Sequence, residues 1–160
     1  MEFTGTHVRQ RFLRAVEDAV HGVPGIVSTA TASSDIDTPN VDGPEDEKGA
    51  IADISFLKDN SPRKQAGMGG RGALSRTLLV GIVIAALVPL DMTVEGFEGL
   101  LGDVERALAA CPGLVGYADD WYVSDTEWNY GQAEDAAVEQ AAIAFVITYG
   151  TTTADPGRTI

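Results

Sequence analysis

The sequence predicts one α+β domain over residues 1–160: a mixed or antiparallel sheet packed against two amphipathic helices, with a long basic hairpin loop. Three observations carry that prediction. Leu78–Val88 and Ala142–Tyr149 are apolar on both faces, the composition of strands in the middle of a sheet. The stretches after Thr6 and after Met92 instead repeat apolar residues at the three-to-four spacing of a helix. At 160 residues the chain fits a single domain, long enough to hide roughly 70% of its unfolded surface.

Thr4 or Thr6 is placed to cap the first helix. Val8, Phe12, Val16 and Val20 recur every four positions with Ala15 and Ala19 beside them, leaving Arg9, Gln10, Arg14 and Glu17 to water. The run from His21 to Gly25 ends the helix, Gly22 supplying a left-handed cap and Pro24 forbidding continuation. A short strand over 25–33 follows.

Residues 34–49 hold Asp35, Asp37, Asp42, Glu45, Asp46 and Glu47 against the single Lys48. With proline and glycine added, such a stretch buries little apolar area, and it reads as an acidic solvated loop, mobile unless a partner orders it. The next segment, 51–57, alternates: Ala52, Ile54 and Phe56 share one face, Asp53 and Ser55 the other, as in a strand with one wet side.

Residues 58–76 form the basic arm. No acid lies between Asp59 and Asp91, while Arg63, Lys64, Arg71 and Arg76 surround a glycine-rich tip, 66–72, that includes Met68. Lying between two strands, the segment is expected to be the loop of a long hairpin projecting beyond the sheet, pliable because of its glycines.

The second helix spans 93–111, with Val94, Phe97, Leu101, Val104 and Leu108 on one face. Gly96, Gly99 and Gly102 each cost about 1 kcal/mol relative to alanine there, which points to the close approach of another backbone or to a frayed first turn. Pro112 and Gly113 stop it. An aromatic edge segment, 121–129, precedes the closing strand, in which Ile143, Phe145, Ile147 and Tyr149 face one way and Ala142, Ala144 and Val146 the other. The tail, 151–160, is either a strand extension reaching a neighbour or loose.

The charge of −13, from 24 acids against 11 bases, disfavours nucleic-acid and anionic-membrane binding, which need cations to meet phosphate. Cys111 is the one cysteine, so an intrachain disulfide and a four-cysteine zinc site are excluded, and a reducing cytoplasm fits. No apolar signal region opens the chain, and the Leu78–Val88 run falls short of the roughly 18 to 20 residues of a spanning helix. A soluble protein is expected.

Candidate chemistry is thin. Gly67–Gly72 has the glycines of a phosphate-binding loop, but not its Gly-Lys-Ser/Thr ending or a following helix. Asp35, Asp37 and Asp42 lack the remaining oxygen ligands of a calcium loop. His7 and His21 stand at opposite ends of one helix without a partner at metal-ligand spacing. No G-x-S-x-G elbow exists, and Cys111 sits at a helix end before a proline. Asp119 and Asp120, with Asp125 and Glu127, suit turn duty better than acid–base work. Trp121, Tyr122, Trp128 and Tyr130 suit packing or subunit contact better than stacking on bases or sugars. No catalytic residue, cofactor or metal is therefore expected, and function is sought in surfaces.

One family shares this order of parts. The central strand 76–87 (RTLLVGIVIAAL), the helix end 105–116 (ERALAACPGLVG), the edge 123–128 (VSDTEW) and the closing 143–156 (IAFVITYGTTTADP) resemble the tail-terminator, or tail-completion, proteins of long-tailed bacteriophages. The likeness covers most of Val8–Pro156 and is a pattern, not an invariant motif; 34–49 has no counterpart in it. It implies a non-enzymatic subunit of a hexameric ring, located in the virion tail or neck after assembly in the host cytoplasm. Such a ring caps the tail tube protein, stops its polymerisation and meets the head-side connector or neck protein, while DNA passes through the lumen without specific binding. The residues fit that role independently: an acidic pore does not hold DNA, and a basic arm can dock on an acidic ring. The residues expected at a partner interface are Arg63, Lys64, Met68, Arg71, Arg76, Trp128 and Tyr130. Two alternatives stay open: another neck or tail-tube ring protein, or a small α+β enzyme or ligand-binding domain.

Overall fold

A computed structural model describes residues 7–31, 49–60, 73–88, 92–133 and 136–152, without the side chains of 73, 74, 130, 132, 133, 136 and 152. The acidic loop except Gly49, the arm between Asn60 and Ala73, and the tail beyond Thr152 thus lie outside the described residues. In chain order the elements are α1 (Val8–His21), β1 (Ile26–Thr31), β2 (Ala50–Asn60), β3 (Ala73–Val88), α2 (Val94–Ala110), a 3-10 turn at Pro112–Leu114, β4 (Asp120–Ala133) and β5 (Ala136–Thr152).

The strands form one mixed five-stranded sheet in the order β1-β2-β3-β5-β4. β1 runs parallel to β2, and the other neighbours are antiparallel. The two doubly apolar segments of the sequence, β3 and β5, pair over their whole lengths from Ala73↔Thr152 to Val88↔Ala137. They hold the centre because only a strand with neighbours on both sides can hide apolar residues from water so completely.

Both helices cover the same face. Phe12 of α1 meets Tyr149 of β5 edge-on, ring centroids 5.0 Å apart. From α2, Glu105 accepts a hydrogen bond from Thr126 of β4, whose paired residue Ile143 lies on the Tyr149 face. One core results, in which Phe12 and Val16, Phe97 and Leu108, Ile82 and Phe145 are buried together. Among the described residues no helix is long and apolar enough to cross a membrane.

Several local expectations are corrected. The N-cap of α1 is His7, whose Nδ1 accepts from the Arg9 amide at 3.2 Å; Thr4 and Thr6 precede it and lie outside the described residues. Gly22 ends α1 in right-handed geometry (φ −73°), and the left-handed residue is Gly25 (φ 101°), where the chain turns into β1. In α2, Thr93 caps the first turn by accepting from the Gly96 amide at 3.0 Å. A Cβ added at Gly99 would meet nothing within 4 Å, and at Gly102 only the Arg106 guanidinium, so no neighbouring backbone explains those glycines. Val94 is exposed and Leu100 is buried in its stead, because Leu100 reaches the turn at Gly25.

An irregularity in β2 changes the side to which its last residues point. Phe56 pairs with Val80 but Lys58 pairs with Leu79, so Leu57 is an extra residue, a bulge. Without it, continued alternation would place Asp59 on the face away from the helices. The bulge returns Asp59 to the helix side, opposite the buried Leu78.

Candidate interaction surface

Three places bear on contact with a partner: the sheet face opposite the helices, the outer edge of β4, and the base of the basic arm.

The open face is built by the second set of alternating residues. Its floor comes from the small side chains of the central strands, in cross-strand rows such as Val83↔Ala142 and Gly81↔Ala144. On its borders β2 contributes Ile51 and Leu57, and β4 contributes Tyr122, all large apolar side chains about half exposed or more. Leu57 lies over Gly81: a Cβ there would come within 3.0 Å of its Cδ1, so the glycine makes the room for the bulged side chain. The charged groups at the border are Asp53 on β2 and Asp120, Asp125 and Glu127 on β4, exposed acids, with Lys58 the cation toward one end.

β4 is an edge strand of fourteen residues with no strand on its outer side among the described residues. Its register slips between Val123 and Asp125, leaving Ser124 as a bulge. That slip separates aromatics that strict alternation would align. Tyr122, paired with Val146, belongs to the open face, whereas Trp128, paired with the buried Ala141, belongs to the helix face, where it is half exposed. Trp121 is turned into the helix layer, its Nε1 donating to the Ala109 carbonyl at 2.9 Å. The four aromatics therefore form no single stacking platform; Tyr130 is placed in β4 by its backbone alone. An unpaired edge of this length can accept an added strand.

At the base of the arm the sequence and the structure part. Arg76 does not point outward. Its side chain is 14% exposed, and its guanidinium NH2 lies 3.3 Å from Asp59 Oδ2. The same oxygen accepts from the Tyr149 hydroxyl at 2.9 Å and lies 3.6 Å from Arg9 NH1. Burial, then the Asp59 contact, pushes the Tyr149 phenol up to about 12. The group closes the end of the sheet from which the arm departs, and it joins α1, β2, β3 and β5. Arg63, Lys64, Met68 and Arg71 lie outside the described residues.

The remaining chemical candidates take structural places. Cys111 is buried, its Sγ donating to the Ala15 carbonyl at 3.5 Å, and burial raises its thiol to about 11, so the reactive thiolate is scarce at neutral pH. Asp120 and Asp125 accept from the amides of Trp121 and Thr126, both at 2.9 Å. His7 caps α1 and His21 occupies its last turn. Among the described residues no group of three or more His, Cys, Asp and Glu is placed to hold a metal ion.

Sequence reasoning missed Asp59 and Tyr149 as a pair. Tyr149 read as one apolar residue among several, and nothing in the strand pattern of β2 announced its bulge.

No protein-family model matches this chain, and no curated protein matches it. The reading of its function therefore rests on the fold and its surfaces.

Proposed function

We propose that this chain is a structural subunit of a virion, a ring protein of the tail-terminator type in a bacteriophage tail or neck. In this role six copies close a ring on the last ring of tail tube protein, stop its growth and offer the opposite side to the head-side connector, with DNA passing through the lumen unbound. The observation that carries the reading is the one-sided fold. Among the described residues both helices cover one sheet face, while an apolar face with half-exposed Ile51, Leu57 and Tyr122 and a fourteen-residue edge strand have no element over them. A monomer seldom leaves so much strand edge and apolar surface uncovered unless something covers it. The acidic balance of 24 carboxylates to 11 bases suits a pore that must release DNA.

The mass of the full chain in solution, alone and with tail tubes, tests the proposal. A closed ring or a tube-bound species is expected; a monomer at every concentration with and without tubes overturns it. Particles made without a functional copy should show overlong tails that lack heads, and normal tails would reject termination.

A further inference from the structure

We infer that the open face of the sheet is the docking site for the basic segment 61–72 of a second copy of this chain, so that copies join head to tail, arm into face. The inference rests on the reading of the chain as an assembling subunit and names the contact that makes the assembly.

The face has the shape and charge of a receiving trough. One cross-strand row runs from Asp53 through Val83 and Ala142 to Glu127. The next passes Gly81 and Ala144 to Asp125. Carboxylates thus stand on both borders with small apolar side chains between them. Strands lie about 4.8 Å apart, so β2 and β4 stand roughly 14 Å apart, and past Gly81, which Leu57 covers, the floor has room for one extended chain. Leu57 is 59% exposed at one border and Tyr122 49% at the other, so the apolar gain of covering the trough is still available.

Charge selects the occupant. Among the described cations, Arg9 and Arg76 are directed at Asp59, Arg106 pairs with Asp103, and Arg11 donates to the Tyr117 hydroxyl, while Arg14 on α1 and Lys58 on β2 are single exposed charges. Segment 61–72 carries Arg63, Lys64 and Arg71 with no acid of its own, and Met68 between them is the flexible apolar side chain a shallow floor accepts. Two identical acid-bordered faces would repel each other, which rules out face-to-face pairing.

Geometry makes the contact intermolecular. The segment leaves β2 at Asn60 and rejoins β3 at Ala73, and Asn60 pairs with Thr77. Val83 lies six residues further along β3, about 20 Å away. Twelve residues anchored at both ends reach about that far only when fully stretched, so within one copy the segment cannot lie along the row from Asp53 to Glu127. A second copy meets no such limit. An arm on one patch and a receiver on another form a heterologous contact, the kind that closes into rings.

The test uses the full chain in two forms: an arm variant, R63E/K64E/R71E, and a face variant, D53K/D125K/E127K, whose changed carboxylates are all exposed, with circular dichroism to verify folding. A fluorescent peptide of residues 61–72 is titrated onto the arm variant, whose face is intact, and onto a chain carrying both sets of changes. The peptide should bind the first, weaken as salt rises, and bind the second about tenfold less tightly. No binding to the first, or equal binding to both, overturns the docking. Masses separate this inference from the ring reading. Each variant alone should lose the assembly of the unmodified chain, and mixing the two should restore a two-copy species, since one supplies the face and the other the arm. Assembly unchanged in both variants overturns the docking and leaves the ring standing. An unmodified chain that never assembles overturns the ring, while the peptide still decides the docking.

Discussion

Tyr149 donates its phenolic hydrogen to Asp59 across ninety positions of chain, Oη to Oδ2 2.9 Å. The bond joins the end of β2 to the end of β5, two strands that are not neighbours in the sheet, beneath Arg76 of the strand between them. Asp59 Oδ1 and Arg76 Nε, both buried, have no partner in the same group. The cluster is therefore satisfied only in part, and each bond it does make matters more.

Tyr149→Phe removes the neutral donor to Asp59 Oδ2 and leaves the ring packing on Phe12 in place. A loss of about 1–3 kcal/mol in urea unfolding is expected, the cost of depriving a buried carboxylate of a partner. A loss below about 0.3 kcal/mol would mean that the two arginines suffice.

The same bond sets an alkaline limit. Burial and Asp59 raise the Tyr149 phenol from 10.0 to about 12, so the folded chain holds this proton more tightly than the unfolded one. The resulting stability is complete below pH 10 and is lost as pH rises from 10 through 12. Unfolding midpoints measured over that window should fall more steeply for the unmodified chain than for Tyr149→Phe; parallel curves would refute the assignment.

Two glycines near one another in sequence should respond oppositely to alanine. Gly99 is exposed on α2 with nothing within 4 Å of an added Cβ, so Gly99→Ala should stabilise by about 0.5–1 kcal/mol. At Gly113 the added Cβ would lie 2.7 Å from Ala15 Cβ and 3.2 Å from Ala15 Cα, where the 3-10 turn presses on α1. Gly113→Ala should cost about 1–3 kcal/mol. Thermal unfolding of the two variants tests both.

Cys111 should be slow toward a disulfide reagent at pH 8 in the folded chain and fast in denaturant, since burial suppresses its thiolate. Equal rates in the two conditions would show that the end of α2 opens readily.

Helix periods, doubly apolar central strands and the proline–glycine stop after α2 were legible in the chain because each is a local or single-element property. The fold class followed, since two helices and a mixed sheet are what those periods allow. The surface was legible only in part. Arg76 belonged by sequence to a run of outward cations, and Trp128 and Tyr122 to one aromatic group. A bulge in β2 turned Asp59 to the helix face, where it meets Arg76, and another in β4 set Trp128 on the opposite face from Tyr122, because one inserted residue reverses the face of every side chain after it.

The sequence by itself thus determined the elements, the acidic balance and the concentration of uncompensated cations in 61–72. Only the tertiary structure decided which side of the sheet the helices cover, that Arg76 is held by Asp59 and Tyr149, and that Asp53, Asp125 and Glu127 border one open trough. The physical reason is distance along the chain. Periodicity reports on neighbours three or four positions apart, whereas register joins residues such as Asp59 and Tyr149, whose meeting no local pattern records.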